Sequence, residues 1–166
     1  MAKETRERLM SESQALLRHF RAHLRITGED LDAELQQCMM AAIASAEHAI
    51  GSVILLSDVT LETSFASSLT LRKPLLSVAS VKVDDDVLEE DLYNTDGNVL
   101  TFDDSVSGEK VEVKYRAGFE PIPADMLAAL MLHASSLFSS PLDSVETLPK
   151  ASANLLRPYR SWGLGK

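Results

Sequence analysis

Val111-Glu-Val-Lys-Tyr-Arg-Ala-Gly-Phe-Glu-Pro-Ile-Pro-Ala-Asp-Met-Leu-Ala-Ala-Leu-Met-Leu-His-Ala-Ser-Ser-Leu-Phe138 carries both kinds of element this chain is built from. Val111, Val113 and Tyr115 alternate with Glu112, Lys114 and Arg116, which predicts a strand with one buried and one wet face, the mark of an antiparallel sheet. Gly118 ends the strand and Pro121 and Pro123 turn the chain. A helix then opens at Pro123, where a missing N–H costs nothing, with Asp125 favouring the positive end of its dipole. Along it Met126, Leu127, Leu130, Met131, Ala134, Leu137 and Phe138 cover an arc broader than one small sheet needs. Either the chain's own long helix or a neighbouring subunit covers the surplus. Nothing in the stretch is armed for catalysis.

Upstream, Leu16, Leu17, Phe20 and Leu24 recur at helical spacing in a short helix over Ser13–Ile26, with Arg18, Arg21 and Arg25 on another face. Thr27-Gly-Glu-Asp30 matches a capping box. It predicts a long helix over Asp30–Ile50, with Leu31, Leu35, Met39, Ala42, Ile43, Ala46 and Ile50 in one stripe and Gly51 as its stop. Between the helices the period changes to two, giving strands at Thr60–Ala66, Leu69–Arg72, Val78–Val83, Val99–Phe102 and Val111–Tyr115. Asn94–Asn98 and Asp103–Gly108 read as turns. A last short helix is expected at Ala151–Leu156. The expected fold class is α+β, mainly α: a helical body of three longer helices and a short C-terminal one, with a small antiparallel β region inserted at about 59–116. The 166 residues suit a single domain, 1–166, with 1–12 and 157–166 as flexible tails. Truncation after Lys150 is expected to leave the domain folded but to weaken assembly.

Composition is that of an ordinary soluble globular protein, 45% hydrophobic and 25% charged, with no apolar run long enough to span a bilayer and no secretory core at the N-terminus. The expected setting is cytoplasmic, with no membrane partner. Cys38 is the only cysteine, which excludes an intrachain disulfide and a cysteine-based zinc site. Net charge is −9, unevenly spread. Residues 1–26 hold six bases against three acids, and residues 150–166 hold four bases and no acid, so the middle of the chain carries −16. An acidic body with basic ends is unlike a nucleic-acid reader, which needs a concentrated positive surface.

Chemical motifs are sparse. His19 and His23 stand four apart on one helix, but Phe20 occupies the place where a metalloprotease helix has its Glu. His48 and His133 have no Gly-x-Ser-x-Gly elbow or activated cysteine to serve. Asp84-Asp-Asp86, continuing to Glu89-Glu-Asp91, lacks the ligand spacing of a calcium loop and reads as a solvated hairpin tip. No glycine-rich phosphate loop is present. The reading is therefore no enzyme, no catalytic or metal residues and no cofactor. In the tail, Tyr159 and Trp162 are flanked by Arg157 and Arg160, the residue types that dominate interface energies. The segment either docks a partner, folds back on its own domain or is a disordered end. The candidate interface set is Met126, Leu130, Leu137, Phe138, Arg157, Tyr159, Arg160 and Trp162.

The order of these pieces resembles the head–tail connector (adaptor) proteins of long-tailed phages and prophages, often described as DNA-packaging proteins. The likeness runs over most of residues 15–160. It includes Leu17–Ile26 ahead of Gly28-Glu-Asp30, the Ala-rich helix, Leu71-Arg-Lys-Pro-Leu-Leu-Ser-Val-Ala-Ser-Val-Lys82 and Tyr93. It continues with Val113-Lys-Tyr-Arg-Ala-Gly-Phe119, Pro123-Ala-Asp125 and Leu155-Leu-Arg-Pro-Tyr-Arg160. Leu137-Phe-Ser-Ser-Pro141 departs from the aromatic and charged segment common at that helix end. The resemblance implies a homo-oligomeric ring, dodecameric when assembled, beneath the portal protein. Such a ring joins the head to the tail-completion proteins, and DNA passes through it without sequence-specific binding. It implies residence in the virion and, during assembly, in the host bacterial cytoplasm. The competing readings are a small metal-dependent hydrolase and a DNA-binding packaging factor.

Overall fold

The computed structural model describes residues 2–8, 10–140 and 148–160. They form two compact units: a β unit of the residues up to Leu9 with Leu55–Glu120, and a helical unit of Met10–Ile54 with the residues from Pro121 onward.

In chain order the strands of the β unit are β1 Lys3–Arg8, β2 Ser57–Ser64, β3 Ser68–Thr70, β4 Leu75–Val83, β5 Asp86–Val87, β6 Tyr93–Asp96, β7 Val99–Phe102 and β8 Lys110–Ala117. They make a five-stranded antiparallel sheet, β1-β2-β8-β4-β5, and a three-stranded one, β3-β7-β6. The alternation read from Val111 is realised in β8. Val111, Val113, Tyr115 and Ala117 are buried. On the opposite face Arg116 pairs with Asp58 at 2.8 Å, and Glu112 lies 3.4 Å from Lys82 and 3.7 Å from Lys114. Leu55, Leu56, Val59, Leu71, Val81, Val83, Leu100 and Phe102 are buried with them. The acidic run sits at the β4–β5 turn. There Asp84 and Asp85 take φ of +49 and +73, and the Asp84 carboxylate accepts the N–H of Lys110 at 2.8 Å and of Glu109 at 3.0 Å.

Gly118 closes β8. Its φ is +133, and a Cβ there would lie 2.7 Å from the Cα and N of Leu56 and 2.8 Å from the Leu55 carbonyl carbon. Only glycine lets these two backbone segments approach so closely.

The helical unit contains α1 Met10–Leu24, α2 Asp32–Ile50, α3 Ala124–Ser139 and α4 Lys150–Leu156, followed by a 3-10 turn at Arg157–Tyr159. Phe20, Leu35, Ile43, Ile50, Ile54, Met126, Leu130 and Leu156 are large, fully buried side chains of this unit. Gly51 caps α2 in the left-handed conformation, its N–H on the Glu47 carbonyl at 2.9 Å.

Two expectations are corrected. The chain is not mainly helical: helices take 41% and strands 29% in two antiparallel sheets, so the fold is mixed α+β. The additional strand content lies where strands have no apolar period. Lys-Glu-Thr-Arg-Glu-Arg, within the segment expected to be a flexible tail, has no hydrophobic residue and forms β1 by pairing along β2 from Lys3↔Glu62 to Arg8↔Ser57. Arg6 fastens it by donating from Nε to Ser57 Oγ at 2.9 Å, and Arg72 donates from Nε to Glu4 at 3.0 Å. The capping box also fails to form, because α2 starts one residue beyond Leu31 without a side-chain cap. Arg21 orders the turn instead, donating to the Gly28 carbonyl at 3.0 Å and approaching Asp32 at 3.4 Å.

Candidate functional site

α3 opens after Pro123, whose φ of −56 and ψ of 142 set the chain up for the first turn. Asp125 Oδ1 accepts the Met126 N–H at 2.9 Å and the Tyr159 hydroxyl at 2.6 Å. That second bond ties the C-terminal 3-10 turn to the start of α3, and the charged acceptor raises the Tyr159 pKa. Arg160 donates from Nε to the Ala49 carbonyl at 3.2 Å, placing its charge at the C-terminal end of α2, where the helix dipole favours a cation. Residues 157–160, expected to be part of a flexible tail, are thus fastened to the helical unit at two points.

The broad apolar arc of α3 has its explanation within the same unit. α3 packs on α2 and α4, with a lesser contact to α1. Met126 and Leu130 are fully buried, and Leu137 and Phe138 half-buried. Arg157 and Arg160 are exposed and Tyr159 is half-buried. Trp162 lies outside the described residues. Of the expected interface set, Leu137, Phe138, Arg157, Tyr159 and Arg160 therefore retain surface, while Met126 and Leu130 serve the core. The sequence reading missed Leu132, 40% exposed on α3. With Ala124 and Ala128 it lines a small-sided open face at four-residue spacing. Leu132 sits outside the apolar stripe, and that offset was the available signal.

Burial acts on two of the potential chemical groups, His133 and Cys38. His133 is 3% exposed and its Nδ1 has no hydrogen-bond partner; burial lowers its pKa, so it stays neutral at pH 7. Cys38 is half-buried, and burial, then Glu34, raise its thiol pKa, the opposite of what a reactive cysteine needs. His19 and His23 are exposed on α1. Among the described residues no group of three or more His, Cys, Asp or Glu could hold a metal ion, and no helix is long and apolar enough to cross a membrane.

No protein-family model and no curated protein matches the chain. Solved structures do. A chain in the neck of an empty gene transfer agent (GTA) particle, computed with C6 symmetry, superposes with a TM-score of 0.76 at 21% identity, covering 97% of this chain and 95% of that one. A chain in the neck of the native GTA particle, computed with C12 symmetry, gives 0.75 at 20% identity with the same coverage. One in the virion of the native particle gives 0.75 at 21% identity, covering 95% of each. At such identities the likeness establishes a shared fold, over nearly the whole of both chains.

Proposed function

We propose that this protein is a structural, non-enzymatic component of the neck of a phage-like particle, a head–tail connector whose copies form a ring between portal and tail. The observation that carries the proposal is the near-complete mutual coverage with chains of symmetric GTA necks. It is supported independently by the order of sequence pieces that resembles phage connectors. In this reading the two units act together as one subunit of a dodecameric ring, and Leu137, Phe138, Leu132 and the Arg157–Arg160 turn contribute to contacts with other subunits or with portal. Trp162 extends the same basic, aromatic segment. Seven of the nine net negative charges fall in the β unit. Acids turned toward a channel would let DNA slide without adhering, since binding requires neutralised phosphates. The protein then resides in the virion, after assembly in the bacterial cytoplasm.

Deletion of the gene in a particle-producing strain tests this. The expected product is heads that package DNA but carry no tails, restored by supplying the chain in trans. Complete, tailed particles formed without it would overturn the proposal.

A further inference from the structure

The five-stranded sheet ends differently on its two sides. On one side the six residues of β1, three bases and two acids among them, pair only with β2 among the described residues. On the other, β5 covers only Lys82 and Val83 of β4, and the Leu88 N–H takes the Val81 carbonyl. Residues 75–80 of β4 have no strand beside that edge among the described residues. This stretch, Leu-Leu-Ser-Val-Ala-Ser, is uncharged, and Leu76 is 45% exposed. β6, at the edge of the second sheet, also pairs only with β7 among the described residues. The free edges of β4 and β6 line one groove of about 420 Å³, with Leu76 and Tyr93 on its walls and Glu90 beside them. Proteins guard open edges with charge, because an uncharged one is a template for pairing with another chain. Here the edge bears no charge, and its only guard is a pair of bulges, where the pairing with β8 shifts register between Leu75 and Ser77 and between Val78 and Ser80.

We infer that the β4 edge is a docking site for the β1 edge of a second copy, giving a sheet that continues from subunit to subunit. The inference rests on the ring reading above and names the surfaces that would make the ring. Three features select this occupant. Each edge is six residues long in sequence, the β4 stretch containing two bulges. β1 carries an excess of base where the groove carries Glu90 with Glu89 and Asp91 adjoining in sequence. The two edges also lie on opposite sides of one sheet, so their contact is head-to-tail, the kind that closes into a ring under rotation.

Cross-linking in assembled particles tests it. In a Cys38→Ser background, Thr5→Cys is paired in turn with Ser77→Cys and Ser80→Cys, and Lys3→Cys and Glu7→Cys are tried likewise to allow for register. Adjacent strands bring such pairs within disulfide range. The expected result is a ladder of covalent multimers on mild oxidation in at least one pair, while single-cysteine chains stop at dimers. Leu76→Lys, at an exposed position, is expected to keep the monomer's thermal melt while cutting incorporation into particles at least tenfold. A wild-type chain that forms no ring overturns the functional reading together with this inference. A wild-type ring in which no pair cross-links, or into which Leu76→Lys incorporates normally, overturns this inference alone.

Discussion

Gly118 shows how a single residue is fixed by its surroundings. With φ at +133 and the Leu56 backbone 2.7 Å from where a Cβ would stand, Gly118→Ala must displace backbone. A loss of at least about 2 kcal/mol in chemical denaturation is expected, since strain and overpacking add; an unchanged midpoint would contradict the close approach. His133 makes a second prediction. Its folded pKa is depressed by burial, so below about pH 6.5 the unfolded chain takes up a proton that the folded chain refuses. Its contribution to stability is complete above that pH and is lost as pH falls toward the folded pKa. Denaturation midpoints measured from about pH 8 to about pH 5 are expected to fall less steeply in His133→Leu than in the wild type. Tyr159→Phe removes the 2.6 Å bond to Asp125 and is expected to cost about 1 kcal/mol. The glycine corner was legible in the sequence as punctuation between two periods. The bonds of Tyr159 and Arg160 were not, because long-range polar partners leave no local pattern.

At the scale of elements, strong apolar periods gave positions within a few residues, and weak ones gave none. α2 and α3 were legible because their buried stripes repeat along several turns, and β7 and β8 because apolar and polar residues alternate. β1 was illegible: a polar edge strand is defined by its partner, not by its own residues. The function of the α3 arc could not be read either, since the same stripe would suit a neighbouring subunit or α2 and α4. The structure assigns Met126 and Leu130 to the latter. α4 is also part of the core, with Leu156 2% and Ser152 0% exposed. This reverses the expectation for truncation after Lys150: removing α4 exposes part of the helical core, and partial or complete unfolding by circular dichroism is expected. Leu156→Ala alone should cost about 2–4 kcal/mol, measurable as a lowered denaturation midpoint. A truncated chain that melts like the full one would show that α4 adds nothing to the unit.

At the scale of the molecule, the candidate site is a set of surfaces and not a pocket. The sequence pointed there by elimination and by the order of its pieces, while the surfaces themselves depend on which apolar residues the subunit spends on its own core. The central claim is that copies of this chain close into a ring at a particle neck. The most direct test is light scattering on the purified chain, alone and with the portal protein of its own particle. A closed multimer of about twelve times the 18.2 kDa of one chain is expected, forming on the portal if not before. A chain that stays monomeric at every concentration and does not bind portal would contradict it.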